Sequence, residues 1–251
     1  MEGVVLGSGG WLPSDRRETA CVLLRRGPDA LALDAGTGMR RLLTDGALLD
    51  GVERLHIALS HFHHDHTFGL IALPGLVHRV PVREVWAPGR VVAGTDAKTV
   101  VHRLLDPPFL GEEPGDATGR WVTAVHELAE TVRIGPFEVE TRRQLLHTGP
   151  TLAFKVDGEV AYCTDTAYDE ENGRFARGAR ILLHEAMVAE ETTDDPIHSA
   201  AGEAARIAGA AGVERLLLCH VNPLLTDEES LLAHARPHFG RADVATDALR
   251  F

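Results

Sequence analysis

The sequence predicts an α/β fold in layers, with two β-sheets face to face and helices on the outside. Three observations carry this. Short strand-like runs dominate the first half of the chain. Strand and helix patterns alternate through the second half, and no repeat or low-complexity linker divides the 251 residues.

In chain order, apolar runs predict strands over Ala20–Leu24, Ala30–Asp34, His56–Ser60 and Arg83–Trp86. A helix is predicted over Asp96–Leu105, where Val100, Val101, Leu104 and Leu105 recur at helical spacing. The Pro-, Gly- and acid-rich stretch that follows reads as a loop, and Pro107–Arg120 is a candidate flap. Strands are then expected over Val122–His126, Thr131–Ile134 and Phe137–Glu140, the last two joined by a Gly135–Pro136 turn. Thr151–Val156 and Val160–Cys163 flank "DGE" as a second hairpin. The rest alternates: strand Ile181–His184, helix Ser199–Ala211, strand Arg215–Cys219, helix Asp227–Ala235 and strand Asp243–Ala245. Thr226 and Glu229 have capping-box spacing for the last helix, and Pro237 closes it.

Composition bounds the function. A 44% hydrophobic, 25% charged chain has enough apolar residues for a buried core, and one domain over residues 1–251 is expected. No apolar run reaches the roughly 18–20 residues of a membrane span, and the first residues do not resemble a secretory leader. A cytoplasmic protein is the expectation. Cys21, Cys163 and Cys219 form no CxxC, which argues against a disulfide framework or a thiolate zinc site. The net charge of −12 disfavours long nucleic acid, since the RR pairs are scattered and no basic run forms. A small phosphorylated substrate remains compatible.

The chemistry concentrates in "SHFHHDHTFGL", Ser60 to Leu70, directly after the apolar run "HIALS". In an extended segment His61 and His63 point the same way and can share one metal. A turn at Asp65–His66 aims two more ligands elsewhere, toward a second ion, and Gly69 leaves room for close packing. Three further ligand types each follow a buried-strand pattern: His147 after "RRQLL", Asp165 after "VAYCT" and His220 after "RLLLC". Two ions roughly 3.5–4 Å apart bind a bridging water, lower its pKa toward neutrality and clamp both attacking and departing oxygens. Asp65 suits orienting that hydroxide. His184–Glu185 in "ILLHEA" and His198 in "IHSA" are candidates for protonating a leaving group. Asp34 reads as a structural residue bonding backbone near the site, "GSGG" (Gly7–Gly10) as a tight turn, and Cys163 and Cys219 as buried inert thiols. Asn222–Pro223 shapes the loop beneath the metal.

With "VVLGSGGWLPSDRRETA", "LALDAGTG", "HTGPTLAFKV", "AYCTDT" and "DPIHSAAGEAARIAGAAGVERLLLCHVNP" in order around that string, the chain resembles the metallo-β-lactamase-fold hydrolases. Within them it is similar to the ribonuclease Z and phosphodiesterase-like branch. The resemblance implies a four-layer αββα sandwich with a dinuclear site at one edge of the two sheets. It assigns His61, His63 and His147 to one metal, Asp65, His66 and His220 to the other, and Asp165 to both. His64 has no place in the motif. Zinc is the expected metal, with manganese and iron suited to the same donors. By the same resemblance His198 meets the scissile phosphate and Glu185 supports it, giving Asp65, His198 and Glu185 catalytic roles.

The departures bear on substrate. Transfer-RNA-processing members carry a long arm between the third and fourth metal motifs, but only seventeen residues separate His147 from Asp165 here. The "HEAT" and "HST" signatures read "HEAM" and "HSA". The expectation is therefore a phosphodiesterase for a small phosphodiester or nucleotide-type substrate, with no membrane partner and a homodimer compatible. The alternative is hydrolysis of a lactone, thioester or other acyl bond on the same metals. Iron redox chemistry and a non-catalytic binding role are the remaining classes.

Overall fold

The C-terminal ends of parallel strands from two sheets converge on one edge in a computed structural model that describes residues 1–111, 117–191, 197–224 and 227–251. The first sheet runs in sequence order: β1 (Glu2–Gly7), β2 (Cys21–Arg26), β3 (Asp29–Leu33), β4 (Arg54–Ala58), β5 (Val82–Ala87) and β6 (Ala124–Glu127). β1 to β3 pair antiparallel, and β3 to β6 pair parallel. The second sheet holds β7 (Thr131–Ile134), β8 (Phe137–Gln144), β9 (Thr151–Val156), β10 (Val160–Cys163), β11 (Ile181–Glu185), β12 (Arg215–Cys219) and β13 (Ala242–Val244). Its antiparallel half ends at β10, and β10 to β13 are parallel.

Strand alternation builds the layers. On β12, Leu216 and Leu218 face helices while Leu217 and Cys219 face the other sheet. Between the sheets, Val22, Leu24, Leu31 and Leu33 meet Phe137, Phe154, Tyr162 and Leu183, all buried. Each such side chain contributes about 1.5–3 kcal/mol by leaving water. The helix Ala201–Ala211 covers the second sheet closely because Ala201, Ala204, Ala205, Ala208 and Ala211 form its buried face. Gly212, at φ 70°, ends it in the left-handed cap that glycine adopts without strain. This arrangement is the predicted αββα sandwich.

Four predicted strands keep their bounds (Thr131–Ile134, Thr151–Val156, Val160–Cys163 and Arg215–Cys219), and β8 runs on from Glu140 to Gln144. Beside several short helical turns, β1 and one further helix lie outside the sequence expectation. β1 is completed by the chain's far end, where Gly3 N donates to Phe251 O at 3.0 Å. The helix Glu170–Phe175 is one and a half turns long and contains Gly173, so it shows no apolar stripe. Thr226 lies outside the described residues; Asp227 caps the helix Glu228–Ala235 by accepting from Glu229 N and Ser230 N. Of the predicted flap, residues 112–116 lie outside the described residues, and none of its described residues lines the metal cleft described below.

Candidate metal centre

The loop after each converging strand end carries a functional side chain: Asp34 after β3, His61 to His66 after β4, Asp165 after β10 and His220 after β12. Glu185 closes β11. Asp34, Asp165 and His220 have φ of 61°, 52° and 51°, the left-handed region that costs a non-glycine residue about 1–2 kcal/mol. That turn folds each side chain back over the strand ends, and the surrounding hydrogen bonds hold it there.

Two groups of ligand-type atoms result, each within 4.8 Å: His61, His63, His147 and Asp165 in one, Asp65, His66 and His220 in the other. Asp165 spans them. Its Oδ1 stands 3.8 Å from His61 Nε2 and 3.5 Å from His147 Nε2, while its Oδ2 stands 3.0 Å from His66 Nε2 and 3.4 Å from His220 Nε2. Within the groups, His147 Nε2 is 3.4 Å from His63 Nδ1, and His220 Nε2 is 3.2 Å from both His66 Nε2 and Asp65 Oδ2. Two donors about 2.0–2.1 Å from one tetrahedral ion stand roughly 3.3 Å apart, so these separations fit a shared metal. His61 gives the sharpest test. Its Nδ1 lies 2.9 Å from Ser60 Oγ, whereas Nε2 is buried without a hydrogen-bond partner and faces the group. A buried polar atom left unpaired is costly unless something occupies the space in front of it.

His61, His66 and His147 are aimed from behind. Asp34 accepts from Ser60 N at 2.7 Å and Ser60 Oγ at 2.9 Å, and its Oδ2 lies 2.8 Å from His66 Nδ1. Its bonds are thus to ligand-orienting side chains as well as to backbone. His147 Nδ1 donates to Ile197 O at 3.0 Å. Thr164 Oγ1 donates to Asp165 Oδ2 at 2.7 Å. Gly10, read from sequence as part of a turn, lies flat against His220: a Cβ there would stand 2.4 Å from the imidazole Cε1. Trp11 N donates to Asp65 Oδ2 at 2.7 Å. Neither contact has a local sequence signature, because the partners are far apart in the chain.

The electrostatics suit a cation. Burial, followed by the neighbouring His66, pushes His61 well below the ordinary histidine range, and burial with His147 lowers His63. Both shifts favour the neutral ring that metal ligation requires. Burial alone would raise Asp165, but His220, His66 and His61 outweigh it and hold the carboxyl well below the usual range. Asp65 is lowered in the same way, His66 and His220 overcoming its burial. His66 runs the other way: burial opposes its charge, yet Asp165, Asp34 and Asp65 raise it well above its ordinary value.

Beside the ligands, His198 Nδ1 donates to Glu185 Oε2 at 2.8 Å, and the opposite oxygen of this fully buried carboxylate takes Thr166 N. Donor atoms of Asp165, His198 and His220 also lie within 4.8 Å of one another. His184 faces away: buried, with Nδ1 against Glu185 O at 2.9 Å, it does not line the cleft. His64 is exposed at the cleft wall and joins neither group. Cys163 and Cys219 are buried free thiols; burial pushes Cys163 up to about 12 and Cys219 well above its usual value. The cleft itself is about 690 Å³.

This fold and this His/Asp constellation define the class of metal-dependent hydrolases with the metallo-β-lactamase fold, with donors for divalent metal. A family model described as "Beta-lactamase superfamily domain" matches residues 29–221, and the chain belongs to that family. A protein of Nostoc punctiforme named Ribonuclease Z is 26% identical over 302 aligned positions, taking in 98% of this chain and 94% of that protein. Those 302 positions exceed the 251 residues here, so that relative carries insertions this chain lacks. Among solved structures, the metallo-beta-lactamase fold protein YhfI from Bacillus subtilis superposes with a TM-score of 0.80 at 21% identity, covering 100% of this chain and 98% of that one. A diphosphatase of the PhnP family gives 0.76 at 17% identity, covering 100% and 97%. At these identities the two structures speak for the fold.

Proposed function

We propose that this protein is a dinuclear metal-dependent phosphodiesterase for a small phosphodiester or nucleotide-type substrate. His61, His63 and His147 would hold one ion and Asp65, His66 and His220 the other, with Asp165 bridging; zinc suits this nitrogen-rich set. Bound ions would supply Lewis acidity toward the phosphoryl oxygens and an acidic water for attack. The chain's own groups do the rest. Asp65 orients the attacking water, its carboxylate steadied by Trp11 N. Glu185 fixes the His198 tautomer through Nδ1, so that His198 reaches the phosphoryl group and hands a proton to the leaving oxygen.

His198 is the observation that carries the phosphodiester reading. Anchored by a buried carboxylate beside Asp165 and His220, it offers a donor that an anionic phosphoryl oxygen uses better than a neutral acyl carbonyl does. A small substrate is supported by the β9–β10 hairpin, which fills the interval between His147 and Asp165 where a substrate-gripping arm would project. Cleavage of RNA is the second reading, favoured by relatives named Ribonuclease Z. The metal-loaded protein is to be assayed against bis(p-nitrophenyl) phosphate, a lactone and thioester panel, and a 3′-extended transfer-RNA precursor. Turnover of the small ester alone is expected, with His198→Ala lowering kcat about 10²–10⁴-fold at unchanged metal content. Turnover of acyl esters only, or of the RNA only, overturns the proposal.

A further inference from the structure

Next to the metal cleft lies a second, smaller cavity of about 220 Å³. The two share Trp11, Leu12, His64 and Asp65 in their walls, so they adjoin, and Phe68 lines the smaller one only. Trp11, Leu12 and Phe68 are 56%, 50% and 52% exposed, unusually high for large apolar side chains gathered at one place. Trp11 is also fixed. Leu12 N donates to Gly10 O at 2.8 Å, closing a three-residue turn with Trp11 at φ 62°, the rare and strained sense of such a turn. Its backbone N–H is tied to Asp65 Oδ2. A strained backbone, tied by its N–H to a proposed metal ligand and carrying an exposed indole at the cleft wall, needs a purpose that core packing does not supply.

The charges around it narrow the occupant. None of the described residues lining either cavity is Lys or Arg. The undescribed segments, 112–116, 192–196 and 225–226, contain neither residue in their sequence. A ligand with several phosphates would find no fixed cation beyond the histidines in a protein of net charge −12. One phosphoryl group at the metals and an uncharged flat group on the shelf match what the walls offer.

We propose that Trp11, Leu12 and Phe68 form a base-stacking subsite, and that the substrate carries a nucleobase on the ester whose phosphoryl group sits at the metal centre. The proposal rests on the phosphodiesterase reading for the position of the phosphate. Stacking on an indole discriminates for flat aromatic rings over other apolar groups, and an aromatic platform tolerates any base.

Equilibrium binding tests the subsite independently of turnover. Thymidine 5′-monophosphate and 2-deoxyribose 5-phosphate, which share the sugar and phosphate and differ in the base, are titrated calorimetrically into the metal-loaded protein. The nucleotide is expected to bind about ten-fold or more tightly than the sugar phosphate. It should also quench intrinsic fluorescence, since Trp121 is buried and Trp86 is packed against the core. In Trp11→Leu the affinity ratio should fall to within about two-fold, and Phe68→Ala, at an exposed position in the same cavity, should reduce it with the fold intact by circular dichroism. Equal affinities in the wild type, or a ratio that survives both substitutions, overturns the proposal. So does a Trp11→Leu protein whose oligomeric state changes while the ratio stands, which would make the shelf a contact between copies. If no phosphodiester is cleaved yet the base preference holds, the function falls and the subsite remains. If phosphodiesters are cleaved with no base preference, the subsite falls alone.

Discussion

Tyr162, on β10 of the second sheet, donates its hydroxyl to Asp34 at the end of β3 in the first, with Oη 3.0 Å from Oδ2. Both side chains are buried, and the same carboxylate holds Ser60 and His66. Burial, with Asp34 beside it, pushes the Tyr162 phenol well above its ordinary value, so it stays a donor. One carboxylate therefore joins the two sheets and aims one ring of the candidate metal centre.

Tyr162→Phe removes only the inter-sheet bond. It should lower stability by about 1.5–3 kcal/mol, the range for a hydrogen bond to a charged group, and leave metal affinity nearly unchanged. Asp34→Ala should weaken metal binding about 10–100-fold as well, because His66 and Ser60 lose their common anchor. Thermal unfolding of the metal-free proteins and competition with a chromogenic chelator separate the two. Equal metal affinities in both variants would remove Asp34 from the positioning role.

Asp165 presents one oxygen to each donor group. His63 belongs to one group only and is half exposed. His63→Ala should therefore retain the metal held by Asp65, His66 and His220, reducing zinc from about two per chain to about one. Asp165→Ala should deplete both, falling below one per chain. Elemental analysis after dialysis checks this, and the same stoichiometry in both variants would mean that the carboxylate does not bridge.

The candidate donors were legible in the sequence for a physical reason: parallel strands deliver the loop after each strand to one sheet edge, so His61, Asp165 and His220 stood out as ligand types following strand patterns. His147 was harder, since β8 ends at Gln144 and Leu145 and Leu146 are exposed between them. Illegible were contacts made across the chain. Asp34 reads locally as a strand end, and its link to Tyr162 spans the two sheets. Trp11 carries no periodic signal, and its tie to Asp65 depends on how the loop after β1 folds over the site. β1 escaped for the same reason, its outer edge being completed by Arg250 and Phe251.

Protons should report which donor group fills. Without metal, His66 and His220 are raised above the ordinary histidine value; burial opposes this, but the nearby carboxylates, Asp165 foremost, prevail. The shift favours their protonated forms, so ligation at this group is tied to proton release. His61 and His63 are lowered, which favours rings that ligate without releasing a proton. Apparent affinity at the Asp65–His66–His220 group should therefore fall as pH drops below the raised values, while the His61–His63–His147 group changes less. Calorimetric zinc titrations at neutral pH, in buffers of different ionisation enthalpy, should show proton release for one binding event and little for the other. Equal release in both would contradict the assignment.

A single methyl group provides the last test. Gly10 has no side chain with which to bond the site, yet a Cβ there would lie 2.4 Å from His220 Cε1 and 2.6 Å from its Nε2. Those contacts are too short to exist, so the imidazole must shift. His220 can move only by leaving its positions 3.2 Å from His66 and Asp65, which are the separations that suit a shared ion. Gly10→Ala should thus lose about one zinc per chain while retaining the other, and circular dichroism should stay unchanged. Gly149→Ala, in the loop beside His147, is the control, because a Cβ there meets nothing within 4 Å. Full zinc content in Gly10→Ala would show that His220 is not needed where it stands, and with it the second donor group would lose its support.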